Sequence, residues 1–259
     1  MPARVHAILV ARPGESARAH LLHTLDALRA QSVRPAAVTI VVTGSAEALR
    51  RGDGLDGFVE GIIEGRGGMS FAEAIALAQP RVSAESAVWL LAQDTAPAPG
   101  ALGHLTGALE RSPSALIAAP KLVSLDDDRE IVSLGVSMSR YGRTVELAAD
   151  ELDQGQHDGI EDVLSADIRG MLIRSEARRH LQPDPALGDA DEGLDLGVRA
   201  RLGGGRVVLV PQARVGVAPD GPAALPRRDV ARAWAVRRAQ LHRRLSYAPA
   251  PAVPLHWLS

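Results

Sequence analysis

Between Val5 and Arg111 short apolar runs of strand length alternate with segments of helical period, and that alternation restricts the chain to a mainly parallel sheet joined by helical crossovers. Val5 to Val10 predicts a first strand, and Leu21, Leu22, Leu25 and Leu28 give the next segment one apolar helical face. Val38 to Val42 predicts the second strand and Phe58 to Ile63 the third. The turn GRGG then leads into a helix whose start is marked by Ser70 and Glu73, the spacing of a capping box. AVWLLA, Ala87 to Ala92, predicts the fourth strand, and the prolines and glycine of QDTAPAPG predict a loop before a helix from Ala101 to Arg111.

After Pro120 the alternation stops. Strands predicted at Ile131 to Met138 and Gly170 to Arg174 flank a polar segment, as α+β decoration would. A helix predicted from Leu194 to Leu202 runs into three glycines, Gly203 to Gly205, which suit a C-cap and turn before the strand VVLVP. With 259 residues, 46% of them hydrophobic, the chain can build one large α/β core. The expected organisation is one domain over residues 1–225, followed over 226–259 by a basic helix and a proline-rich tail.

The absence of cysteine excludes disulfides, thiolate metal sites and cysteine nucleophiles. The N-terminal apolar run is too short for a signal-peptide core, and no stretch reaches the roughly 20 apolar residues of a membrane span, so a cytoplasmic chain is expected. The net charge of -2 conceals an acidic stretch, Glu146 to Asp162, and a basic one, Arg227 to Arg244, with seven arginines against one aspartate. As a helix, the basic stretch puts Val230, Trp234, Leu241 and Leu245 roughly on one face. Two readings are open: the helix lies on an anionic membrane surface, or it packs that stripe on the domain and leaves its arginines in solvent. A nucleic-acid partner is not expected.

Four stretches carry more specific information: GGMSFAEAIALA, WLLAQDTAPAPGAL, DQGQHDG with GMLIR, and DEGLDLGVRARLGGGRVVLVPQARV. In order and spacing, over most of residues 4–220, they resemble family-2 glycosyltransferases, especially a bacterial subgroup whose catalytic domain precedes membrane helices. The resemblance implies a GT-A fold, Rossmann-like, with the nucleotide beyond the carboxyl ends of the parallel strands. It implies displacement of a nucleoside diphosphate from a sugar by an acceptor hydroxyl. The donor would be a UDP- or dTDP-linked sugar and the acceptor a glycan or lipid-linked glycan of cell-envelope polysaccharide synthesis. Mn2+ or Mg2+ held by carboxylates would neutralise the departing diphosphate, and a carboxylate base would take the acceptor's proton. The basic stretch and APAPAVP are similar to the entry into a first membrane span, which implies work at the inner membrane face.

Several motif positions carry other residues. The Asp-x-Asp element aligns with Ala92, Gln93 and Asp94, which puts Asp94 at the metal-ligand position; its other reading is a cap on the proline turn. The resemblance assigns donor contacts to Ala11, Thr43, Gln93, Asp94 and Arg169. The Glu-Asp-x-Asp-Leu motif aligns with Glu192 to Leu196, so the base position falls on Gly193, with Asp191 and Glu192 as catalytic substitutes. The pair reads equally as a cap at the positive end of a helix, worth about 0.3–1 kcal/mol each. A histidine expected to complete the metal site aligns with Val217. His157 reads as an acceptor or phosphate contact or as a solvated loop residue, GRGGMS as a weak anion-binding turn, and Arg169 and Arg174 as arginines within reach of a diphosphate or as surface residues. Two functions stay open: an active transferase, and a non-catalytic binding or scaffolding descendant. A dinucleotide enzyme ranks last, because the first strand is followed by ARPGES rather than Gly-x-Gly-x-x-Gly.

Overall fold

The computed structural model describes residues 4–13, 17–47, 57–187, 190–218 and 230–247. Its centre is a parallel run formed by β1 (Val5–Ala11), β2 (Ala37–Thr43), β3 (Gly61–Gly65) and β4 (Ala87–Ala92), with β1 between β2 and β4. Every residue of β4 is buried, and its side chains alternate between two cores. Val88, Leu90 and Ala92 join one core, and Ala87, Trp89 and Leu91 the other. Helices cover both faces, as a parallel sheet requires. The apolar side chains of α1 (Ala17–Arg29) and α3 (Ala101–Arg111) fill the Trp89 side. Those of α2 (Phe71–Ala78) and α4 (Glu192–Leu202) fill the Leu90 side. The capping box at α2 is complete: Glu73 N donates to Ser70 Oγ at 3.2 Å, and Ser70 N donates to Glu73 Oε2 at 2.7 Å.

The second half of the sheet departs from the sequence reading. A ten-residue strand, β6 (Ala115–Ser124), escapes that reading because Pro120 interrupts it. It pairs in parallel with β12 (Arg206–Val217), which continues past Pro211 rather than stopping there. The register shifts between Val210 and Arg214, opposite Pro120 and Lys121, so both prolines sit at a bulge, where a missing N–H is tolerated. The expected loop QDTAPAPG contains β5 (Thr95–Pro97), an edge strand antiparallel to residues 215–217 of β12. The run Ile131 to Met138 divides at Gly135, φ 102°, into β7 (Ile131–Ser133) on β6 and β8 (Val136–Met138), which pairs with β9 (Thr144–Glu146). Between β6 and β4 lies the short antiparallel β11 (Leu172–Ile173), and β10 (Asp162–Val163) closes the edge on β12.

The C-terminal helix, α5 (Val230–Tyr247), presents an unexpected face to the domain. Trp234 is 72% exposed and Leu241 39%, whereas Ala239, Gln240 and Arg243 are buried. Polar anchoring decides the face: Arg243 donates to Gly142 O at 3.2 and 3.0 Å and Gln240 Nε2 to Tyr141 O at 3.1 Å. Of the two readings left open for this helix, packing of the apolar stripe on the domain is not the one the fold adopts, because the buried hydrogen bonds lie on the other side of the helix. Arg227, Arg228 and the proline-rich tail lie outside the described residues. No helix among the described residues is long and apolar enough to cross a membrane.

Candidate functional site

The carboxyl ends of β1, β2 and β4 meet on one edge of the sheet. Ala11 ends β1 with its methyl in the core, so backbone rather than side chain faces that edge, and the next amide, Arg12 N, donates to Gln93 Oε1 at 2.8 Å. Thr43 ends β2, buried, in register with Gly65. Thr24 of α1 donates to Gln93 O at 2.8 Å, which fixes the backbone just before Asp94. The Asp94 side chain is fully buried, and among the described residues neither of its carboxylate oxygens has a hydrogen-bond donor and Gln93 Nε2 has no acceptor. Unpaired buried polar atoms are rare and call for an explanation in function or in a bound group. Burial raises the Asp94 pKa above the ordinary aspartate range, and the nearby Arg169 charge opposes the rise.

Arg169 arrives from the segment before β11. Its backbone N and Nε donate to Asp167 Oδ1 at 2.9 and 3.0 Å and its Nη2 to Asp167 Oδ2 at 2.7 Å, a two-point fork. This leaves Nη1 directed at Asp94, 3.6 Å from Oδ2. Burial works against the guanidinium charge, but Asp167, Asp94 and Glu146 hold its pKa above the ordinary arginine value. Arg174, five residues on, is not at this edge: it donates to Ala115 O at 2.9 Å and Ser112 O at 3.2 Å, at the end of α3.

The acidic run before α4 is divided between two partners. Asp191, in the left-handed region at φ 56°, makes no side-chain cap, and its Oδ2 accepts from Thr144 Oγ1 at 2.8 Å and Arg243 Nη2 at 2.9 Å. Glu192 is buried and accepts from Ala72 N at 3.3 Å, in the first turn of α2 rather than its own helix. With Ser70 on Glu73 N as well, the amides after GRGGMS are taken up by the chain's own acceptors. Gly193 has no room for a side chain: a Cβ there would lie 2.1 Å from Ala166 O and 2.9 Å from Ile168 N. Gly197, one turn on, is as tight against Leu164 O at 2.3 Å, so α4 lies with its backbone directly on residues 164–168.

Other residues escaped the sequence reading. Lys121, on β6, is buried and donates to Asp153 at 2.8 and 2.9 Å and to Asp158 at 2.6 Å. The DQGQHDG loop is therefore organised around an ammonium, while His157 pairs with Glu151 at 2.8 Å. Tyr247 donates to Asp195 at 2.6 Å, which with Arg243 ties α5 to both ends of the acidic run.

The family described as "Glycosyltransferase like family 2" matches residues 2–245. No curated protein matches the sequence. Among solved structures, the crystal structure of GalNAc-T7 with UDP, GalNAc and Mn2+ is similar in fold, with a TM-score of 0.66 and 15% identity. The likeness covers 83% of this chain and 44% of that one, so the present chain corresponds to less than half of that protein's length. The mainly parallel sheet with helices on both faces is thus a GT-A fold.

A divalent ion of the kind present in that structure does not suit the donor set here. Among the described residues no three histidine or carboxylate groups come together. Ala92 turns its methyl into the core, and Val217 packs with Leu122 and Val215. The remaining carboxylate, Asp94, already faces Arg169. An ion held by Asp94 would have to share that carboxylate with the guanidinium 3.6 Å from Oδ2.

Proposed function

The chain belongs to the glycosyltransferase-like family 2, and from that premise we propose that it binds a nucleotide sugar at the carboxyl ends of β1, β2 and β4 and transfers the sugar to a glycan or lipid-linked acceptor in cell-envelope polysaccharide synthesis. The observation that carries the reading is the unsatisfied pair at the end of β4, Gln93 Nε2 and both oxygens of Asp94, beside Arg169. Leaving a donor such as Gln93 Nε2 unmade costs about 1–3 kcal/mol, which a phosphoryl oxygen recovers on binding. In this reading the β1 and β2 ends, through the Ala11–Arg12 backbone and Thr43, take the nucleoside, and Gln93 and Arg169 take the diphosphate. UDP- and dTDP-linked sugars are the donor classes to test.

The acceptor hydroxyl attacks the sugar carbon, the bond to the diphosphate oxygen breaks, and Asp191 receives the hydroxyl proton. Thr144 and Arg243 both bond Asp191 Oδ2 and hold its direction, so Oδ1 is the oxygen assigned to the acceptor. The test is release of nucleoside diphosphate from a panel of nucleotide sugars with lipid-linked and free glycan acceptors. Asp191→Asn is expected to lower kcat by about 10²- to 10⁴-fold with little change in donor affinity. An unchanged kcat removes Asp191 from the role.

One observation favours a second reading. Because Gly193 cannot carry a side chain, the position of the family's base is structurally closed, which suits a nucleotide-sugar-binding domain without turnover. Donor binding with no diphosphate release across the panel would select it. For location we place the chain at the cytoplasmic face of the inner membrane: Trp234 and Leu241 point outward from α5 beside exposed Arg237 and Arg238, the combination an anionic surface takes up.

A further inference from the structure

We propose that Arg169 supplies, at the donor diphosphate, the positive charge that a divalent ion would otherwise supply, so that nucleotide binding by this chain is independent of metal. The inference rests on the donor reading of the crevice given above. Three observations support it. The Asp94 carboxylate, fully buried and among the described residues without a hydrogen bond on either oxygen, has a guanidinium as its ion-pair partner, 3.6 Å away. That guanidinium is preset: the Asp167 fork fixes its plane through Nε and Nη2 and leaves the Nη1 edge toward Asp94. Its side chain is 17% exposed, whereas that of Asp94 is fully buried, so Arg169 is the member of the pair that solvent reaches.

The backbone at the end of β1 is tied to the same point, since Arg12 N donates to Gln93 Oε1 at 2.8 Å. With Nε and Nη2 engaged by Asp167, the guanidinium N–H groups that Asp167 leaves unused are the donors for a phosphoryl oxygen. Val217 and Ala92, which contribute hydrocarbon to two cores, provide no side-chain ligand for a metal ion.

The experiment is calorimetric titration of UDP and of dTDP into the whole chain, once in EDTA and once in Mn2+, for the native protein, Arg169→Lys and Arg169→Met. The native protein is expected to bind in EDTA, with affinity within about threefold of that in Mn2+. Arg169→Met should lose tenfold or more in both buffers, and Arg169→Lys, which keeps the charge without the fork, should fall between. Binding by the native protein only in Mn2+ overturns the inference and leaves the donor reading standing. Arg169→Met binding as tightly as the native protein in EDTA also overturns it. Binding of neither nucleotide in either buffer overturns both. If Arg169→Met fails to fold, as judged by circular dichroism, the native protein's comparison of EDTA with Mn2+ still decides.

Discussion

Gly193 lies in the first turn of α4, where two effects of opposite sign compete when it is replaced by alanine. Within a helix, glycine to alanine normally stabilises by up to about 1 kcal/mol, because alanine loses less backbone entropy on folding. Against this, the new methyl would stand 2.1 Å from Ala166 O and 2.9 Å from Ile168 N, both backbone atoms that cannot rotate away. Relieving the closer contact means separating α4 from residues 164–168 by about 1 Å or more, which also strains the hydrogen bond from Ser165 Oγ to Gly193 O. Overpacking a tight core costs about 1–3 kcal/mol when side chains can adjust. With backbone on both sides the upper end applies, and the net expectation for Gly193→Ala is destabilisation by about 2 kcal/mol. The matched control is Gly107, inside α3, whose methyl would meet only the flexible tip of Arg111 at 3.0 Å; Gly107→Ala should stabilise by about 0.5–1 kcal/mol. Urea unfolding followed by intrinsic fluorescence measures both, with buried Trp89 as a reporter. If Gly193→Ala is as stabilising as Gly107→Ala, the close approach does not exist and the argument fails.

The buried ammonium of Lys121 gives a second measurable effect. Lys121→Met leaves Asp153, which is 6% exposed, with Arg214 at 2.8 Å as its remaining cation and the Gly155 amide at 3.2 Å, and should cost about 3 kcal/mol in the same urea assay; a loss below about 1 kcal/mol would contradict the network. Acid should act through the same group. Burial opposes the Asp153 charge, but Lys121, the Gly155 amide and Arg214 prevail and hold its pKa below the ordinary aspartate value. Its stabilising contribution is therefore present above about pH 4 and lost as pH falls through its folded value; the melting temperature should drop below about pH 4, less steeply in Asp153→Asn. For α5, flotation with anionic vesicles at low salt should retain the protein, and the pair Trp234→Ala with Leu241→Ser should release it; no retention of the native chain refutes the membrane reading.

The parts of the fold that the sequence reveals are those decided locally. AVWLLA is a strand because β-favouring residues run unbroken between turns, and the Ser70–Glu73 spacing announces a helix start that is satisfied within four residues. What stayed hidden depends on distant partners. Pro120 and Pro211 look like strand breakers until β6 and β12 lie side by side and the bulge between them removes the need for an N–H. β5 exists because residues 215–217, more than a hundred positions away, supply its partner. The packed face of α5 stayed open for a related reason: helical period identifies an apolar stripe, but the acceptors at Tyr141, Gly142 and Asp191 select the opposite side.

At the site, the motif positions identify Asp94 by its place after β4, yet nothing near it in sequence indicates that Arg169 will be its partner. The clue was elsewhere, in the two glycines one turn apart at 193 and 197, which suit a helix pressed against another backbone. In sequence, Gly193 looks like a lost base. In the fold it is the contact that lets residues 164–168 lie against α4, and the same segment continues directly into Asp167 and the Arg169 it orients. The close packing of α4 and the direction of the Arg169 guanidinium are thus set by one stretch of chain, which ties the tight glycine contact on α4 to the cation beside Asp94.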